Sequence, residues 1–463
     1  MALLPIRAVF VTPTILATGE TITASTLAQS LFDAGGKVWF LASPMAAGIL
    51  ATKFPGRVRE MTQHRSLNRV LWREVIREAR PNLIVFSDLY STLGFWPSPP
   101  LADFQWLSEL QELDASLAWI DLLGFNGALR RNILPLCRAY PHLHGIAVHL
   151  TAILSRMLIL LPCPLHEPGP VRGRRGIPYR SMALPIALDA QTRSRARARF
   201  LGPGRDRSEV FVFHTVGTWL WKLAQSWNAP LYDYFSDLLE VYLSNLPRPV
   251  TVVSVNSGSL LRASSRLRLR LFNLQSMSPP EYDRLVISSD LVITDNVASY
   301  TLAKTLGRVP GMVLINSYGL EDLLKHETEG SPVWRLAMDM ERNRPGSFYP
   351  HLTYPFPNWA NPPVRGPYPL GPVNTFISSF FLPDDSIRIG KLPSSPFIRA
   401  ELYGGQQTRD LFHRVLLDDT TRRCLSEKDE AYIERQSILD DGPTIVQRML
   451  TARPRESTVL DSQ

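Results

Sequence analysis

The sequence predicts an α/β protein with two doubly wound parallel sheets. Three observations lead there. Short apolar runs without polar alternation alternate with helical segments, as strands covered on both faces require. That alternation occurs twice, on either side of a stretch rich in Arg, Pro and Gly between Pro162 and Arg207. The segment Ser288 to Asn316, SSDLVITDNVASYTLAKTLGRVPGMVLIN, reads as strand, turn, helix, turn and strand, the βαβ unit of a parallel sheet.

In the first half, Ala8 to Thr12 is an apolar run expected to form the opening strand. Thr21 to Ala34 has helical texture and stops at Gly35-Gly36. KVWFLA (Lys37 to Ala42) is the second strand. A helix from Arg69 to Ala79 leads through Pro81 to the strand LIVF, which ends in Ser87-Asp88. Leu117 to Asp121 repeats the pattern. This first domain is expected over residues 1–165.

Residues 166–207 form an expected connection, broken by Gly169, Pro170, Gly173, Gly176 and Pro178 and crowded with arginine. The part near Asp189 to Phe200 has helical texture. A second domain is expected over 208–330. It opens on the strand VFVF (Val210 to Phe213) and the turn His214 to Trp219. A helix from Leu231 to Leu243, strands at Val250 to Val255 and Leu269 to Asn273, and a helix from Tyr282 to Ser288 precede the βαβ unit. In that unit the helix should run from Tyr300 to Leu306 and end at Gly307.

From 331 to 396 prolines alternate with aromatic residues, which excludes a long helix or a central strand. So many aromatic side chains imply a packed irregular insertion, expected to lie over a cleft or to present a protein-partner surface. Residues 397–453 return to helices, at Thr408 to Leu417, Ser426 to Ser437 and Gly442 to Leu450. They are expected to complete the second domain and cross back to the first. Asp440-Asp441-Gly442 reads as a loop with a helix cap.

Composition narrows the function. Forty-five per cent hydrophobic and 20% charged residues describe a globular chain. The net charge of +8 suits a surface that tolerates anionic small molecules. The arginine-rich connection lacks a recognised nucleic-acid module, so a nucleic-acid partner is not indicated. Three scattered cysteines offer neither a disulfide framework nor a metal spacing, and the expected setting is cytoplasmic. The first residues read as a strand rather than a signal peptide, and the longest apolar stretch, Met157 to Leu161, is too short to span a bilayer. There is no Walker loop, zinc signature or strand-end Asp-X-Asp, so no metal is expected.

Four segments resemble the GT-B family of nucleotide-sugar glycosyltransferases. VFVTPTILATGETITASTLAQSLFDAGGKVWFLAS is similar to the family's opening strand, turn, helix and second strand. VFVFHTVGTW resembles the first strand and Gly-Thr turn of its C-terminal domain. SSDLVITDNVASYTLAKTLGRVP resembles its donor-binding segment, and the chain from Arg409 to Leu450 its terminal helices. The resemblance implies two Rossmann-like domains facing a cleft. It also implies transfer of a sugar from a nucleotide diphosphate sugar, a co-substrate rather than a cofactor, to a small-molecule acceptor. Two departures stand out. Glu20 occupies the place of a family His, and Asp295 to Ser299 replaces a Gly-rich turn, with Ala303 and Lys304 near an expected Glu.

The candidate residues follow. Glu20, after Gly19 at a strand-to-helix turn, is either the general base or a first-turn acid favoured by the helix dipole. Asp121 and Asp88 each end a strand, and each is a cap for the next turn or a second catalytic carboxylate. Donor contacts are expected from His214, Gly217, Thr218, Asn296, Ser299, Tyr300 and Thr301, with His214 alone also readable as a structural hydrogen-bonder. Trp219, Trp221 and Trp227 read as core or interface. The alternatives in function are a nucleotide-sugar epimerase on the same fold and a non-catalytic GT-B-like auxiliary protein.

Overall fold

The computed structural model describes residues 5–15, 18–94, 98–122, 129–130, 133–139, 141–143, 145–164, 176–182, 189–201, 209–215, 231–255, 264–265, 268–275, 277–294, 299–315, 320–343 and 397–451. They divide into two units, Met1–Met182 with Ile438–Gln463, and Ala183–Ser437.

The first unit holds strands β1 (Arg7–Thr12), β2 (Lys37–Ala42), β3 (Val58–Glu60), β4 (Leu83–Phe86), β5 (Ser116–Ile120), β6 (Leu158–Cys163) and β7 (Ile177–Arg180). Its helices are α1 (Gly19–Asp33), α2 (Pro44–Leu50), α3 (Arg65–Ala79), α4 (Leu89–Thr92), α5 (Phe104–Glu112), α6 (Ile133–Ala139) and α7 (Ala147–Arg156). The sheet order is β3-β2-β1-β4-β5-β6-β7, with every pairing parallel. Central strands are apolar on both faces because helices cover both faces; Ala8, Val9, Phe10 and Val11 have no exposed surface. The turn from α1 to β2 needs two glycines for different reasons. Gly35 sits at φ +85, and a Cβ on Gly36 would stand 2.8 Å from the Leu31 carbonyl oxygen.

The second unit contains α8 (Ala190–Leu201), β8 (Val210–Thr215), α9 (Leu231–Leu243), β9 (Val250–Val255), β10 (Ser264–Ser265) and β11 (Leu269–Leu274). It continues with α10 (Pro279–Ser288), β12 (Leu291–Thr294), α11 (Tyr300–Thr305), β13 (Gly311–Ile315), α12 (Leu320–His326), α13 (Pro332–Asn343), β14 (Ile398–Glu401), α14 (Gly405–Leu417) and α15 (Asp419–Ser437). The order β10-β11-β9-β8-β12-β13-β14 repeats the first sheet's winding, with only β10 antiparallel. The last helix, α16 (Gly442–Thr451), packs in the first unit against α1 and β7. Asp441 caps it by accepting from the Thr444 amide at 2.9 Å, and the Arg180 amide donates to the Asp440 carbonyl.

Several elements differ from the sequence expectation. β3, β6, β7, β10 and β14 were not anticipated as strands. The run at Met157 to Leu161, considered only as a membrane candidate, is mostly β6. Helix α13 occupies the first residues of the expected insertion. Its Pro332 sits at the first turn, where proline is tolerated, and no further proline follows until 345. The rest of that segment, 344–396, lies outside the described residues. The arginine-rich connection contributes α8, which packs in the second unit. Arg193 and Arg197 both pair with Asp290 at 2.8 Å, and Arg197 is only 4% exposed. Asp290 in turn accepts from the Phe211 amide, so these arginines fasten a helix to the amino edge of the second sheet.

Candidate active site

In a sheet of this order the crevice opens where successive connections leave in opposite directions, between β1 and β4. Glu20, following β1, and Asp88, following β4, both lie at that edge, and Asp121 follows the neighbouring β5. Glu20 sits in the first turn of α1. The residue as a whole is half-buried, yet its Oε2 is sealed from solvent and has no hydrogen-bond partner. The Oγ1 of neighbouring Thr21, a fully buried residue, is likewise sealed and unpartnered.

Asp88 is 5% exposed and Asp121 2%. Asp88 caps α4: it accepts from the Ser91 amide at 3.1 Å and from the Ser91 hydroxyl. The three carboxylates act on one another in sequence. Burial and then the charge of Asp88 push the Glu20 carboxyl up to about 8. Burial raises Asp88 to about 6, its bonds to Ser91 and Tyr90 oppose the rise, and Asp121 adds to it. Tyr90, also buried, is pushed well above its ordinary value by burial first, then by Asp121 and Asp88. The Glu20–Asp88 pair therefore holds a proton to higher pH than isolated carboxyl groups do. Ser91 occupies both oxygens of Asp88, its amide on Oδ1 and its hydroxyl on Oδ2, yet each oxygen keeps a second lone pair, so the capping reading is compatible with a role beside another carboxylate.

A second cluster stands at the corresponding edge of the second sheet, between β8 and β12. The Tyr282 hydroxyl donates to Thr215 Oγ1 at 3.1 Å and pairs with Thr301 Oγ1 at 2.6 Å. A phenol has one proton, so Thr301 is the donor in the shorter bond. Ser299 and Tyr300 are buried at the start of α11. That helix has six residues and ends at Thr305, one short of the expected Leu306. Lys304 forms an ion pair with Asp283 and lies 5.7 Å from the ring centroids of Tyr282 and Tyr300, so its charge is already engaged.

His214 is not at this surface. Its exposure is 0%, its Nδ1 lies 2.7 Å from Ser254 Oγ, and its ring packs 5.1 Å from Phe235. Burial lowers it to about 3, which leaves it neutral. The expectation of a donor contact from this side chain is corrected to a core histidine, since β8 is buried along its whole length. Gly217, Thr218, Asn296 and the three tryptophans 219, 221 and 227 lie outside the described residues. Tyr90 and Tyr282 were missed by sequence reasoning. Tyr90 follows a strand-end Asp by two residues, which is a readable signal; Tyr282, inside a helix pattern, gave none.

A model of the family of unknown function DUF6365 matches residues 27–361. The chain belongs to that family. No curated protein matches this DUF6365 chain. Among solved structures it is similar to the spinosyn rhamnosyltransferase SpnG, at 13% identity and a TM-score of 0.51, covering 96% of this chain and 100% of that one. It also matches the calicheamicin glycosyltransferase CalG4 at 9% identity and TM-score 0.49, covering 96% and 99%. A third match is the glycosyltransferase SnogD from Streptomyces nogalater, at 15% identity and TM-score 0.43, covering 96% and 99%. The fold is that of GT-B, two Rossmann-like doubly wound units.

Proposed function

We propose that the protein transfers a sugar from a nucleotide diphosphate sugar to a hydroxyl of a small acceptor. The observation that supports this most is the convergence of Glu20, Asp88 and Asp121 at the switch point of the first sheet, where this architecture places ligands. SpnG has been crystallised with thymidine diphosphate and with spinosyn aglycone, which makes a nucleotide and an aglycone the natural ligand classes to test.

In this reading the first unit holds the acceptor and the second the donor. Ionised Glu20 takes the proton of the acceptor hydroxyl as its oxygen bonds to the anomeric carbon. The bond from that carbon to the diphosphate breaks, and the diphosphate leaves with the electron pair. Asp88, fixed by its cap on α4, raises the basicity of Glu20. Thr215, Ser299, Tyr300 and Thr301 supply hydroxyls and amides for the donor. The altered turn at 295–299 and the engaged Lys304 favour a second reading, a GT-B-like auxiliary protein without turnover.

Calorimetric titration with UDP- and TDP-sugars separates the readings. Saturable binding together with sugar transfer supports the first. Binding without transfer or epimerisation supports a binding protein without turnover, and absence of nucleotide binding removes the donor site and with it the transfer reading. Glu20→Gln should lower turnover by at least 100-fold with donor affinity kept within about twofold, the range of general-base loss; unchanged turnover eliminates Glu20 as base.

A further inference from the structure

Tyr282 joins three elements of the second unit at one oxygen. It stands on α10, while Thr215 ends β8 and Thr301 lies in the first turn of α11. Its hydroxyl is 3.1 Å from Thr215 Oγ1 and 2.6 Å from Thr301 Oγ1. The winding of this sheet reverses between β8 and β12, so the three hydroxyls stand at its switch point. The ring is held from two directions. Fully buried Phe213 meets it edge to face with centroids 5.1 Å apart. The Lys304 ammonium, paired with Asp283, lies 5.7 Å from its centroid.

Counting protons gives the group a direction. Burial is the first cause that pushes the Tyr282 phenol up; its bonds to Thr215 and Thr301 oppose the rise, and Asp283 adds to it. The phenol therefore keeps its single proton at neutral pH. Tyr282 gives that proton to Thr215 and takes one from Thr301. Thr301 has then spent its own proton. Thr215 has received a bond and still holds its proton, and among the described residues its hydroxyl bonds to nothing else. The residue is 5% exposed, and a buried hydroxyl with an unspent proton calls for an acceptor. The bond it receives from Tyr282 strengthens the bond it gives. A deprotonated phosphoryl oxygen is the best match, since it only accepts, and its charge makes such a bond stronger than one to a neutral sugar hydroxyl.

We infer that Tyr282 is a positioning residue of the donor site, whose hydroxyl directs the Thr215 proton toward a phosphoryl oxygen of a bound nucleoside diphosphate. This rests on the nucleotide site of the transfer reading and is independent of transfer itself. Tyr282 acts through Thr215 and needs no contact of its own with the ligand.

The test is calorimetric titration of the full chain with UDP and TDP, against uridine and thymidine, with a melting temperature for each variant. Tyr282→Phe and Thr215→Val should each weaken the diphosphates about tenfold, as loss of a bond to a charged group does, and leave the nucleosides within about twofold. The double variant should bind no more weakly than Thr215→Val alone, because one residue acts through the other. Thr215→Ser, which keeps the hydroxyl, should restore what Thr215→Val loses. If Tyr282→Phe melts earlier yet keeps the parent's preference for diphosphate over nucleoside, Tyr282 is only a tie between elements and the inference is overturned. Additive losses in the double variant, or equal losses for nucleoside and diphosphate, overturn it as well. Sugar transfer and diphosphate affinity both unchanged in Tyr282→Phe would overturn it and leave the transfer reading standing. Diphosphate binding that depends on Tyr282, without sugar transfer, would keep the positioning role and remove the transferase. Absence of UDP and TDP binding by the parent would remove both.

Discussion

At the scale of single residues, the proposed reaction makes Glu20 act on rate and on stability in opposite senses of pH. A general base works ionised, so kcat/KM should rise with pH through a limb near 8 in the free protein. Asp88→Asn removes the neighbouring negative charge and should move that limb to lower pH; a limb that stays in place means Asp88 does not act on Glu20. Stability runs the other way. Unfolded, Glu20 ionises near 4.5, whereas the folded protein holds its proton to about 8. Between those values the unfolded chain has released a proton that the native state still binds, so the stability present below 4.5 is lost as pH rises through 8. Glu20→Gln abolishes that dependence. Its Tm advantage over the parent should be larger at pH 8 than at pH 5, as differential scanning calorimetry would reveal.

At the scale of elements, α8 shows how charge composition misleads. Its arginines suggested a solvated connection, yet Arg197 is buried and spends its charge on Asp290. Asp290→Ala leaves that guanidinium uncompensated and should cost about 3 kcal/mol, measured as a lower urea midpoint for the second unit. Replacing Arg197 by Met together with Asp290→Asn should recover most of the loss. Strands β1, β2, β4, β5, β8, β9, β12 and β13 were readable because central strands of a covered parallel sheet are largely apolar; β11 was read despite Arg270 and Asn273, and the inner strand β6 was passed over although it is apolar. Edge strands are not. β3 is VRE, β7 is IPYR and β14 is IRAE, all short and carrying charge, the composition that protects a sheet edge from unwanted pairing. Each acid of the candidate site was visible as a residue at a strand end or helix start. Their convergence was not, because it depends on β4 pairing with β1 and β5 with β4, long-range choices that leave no local mark.

At the scale of the whole molecule, α16 makes the first unit depend on the end of the chain. Ile445 and Val446 are buried there. Ending the chain after Ser437 removes both, worth about 3–6 kcal/mol. The calorimetric transition of the first unit should fall while that of the second stays in place; coincident loss of both transitions would show that the units unfold as one. The fold class was legible from two rounds of strand and helix. Of the expected donor contacts, Gly217, Thr218 and Asn296 lie outside the described residues, and His214 proved to be core.

That same helix gives the protein an order of assembly. Because the first unit comprises Met1–Met182 and Ile438–Gln463, the second is, in chain terms, inserted within it. On a ribosome working at about 5–20 residues per second, roughly 250 residues separate the sheet of the first unit from its closing helix, a delay of about 13–50 s. The second unit has all its strands earlier than the first has its last helix. The half of the molecule made first is thus the half completed last, and the second half of α1, where Leu27 and Ser30 meet the start of α16, gains that neighbour only after the whole second unit has been made.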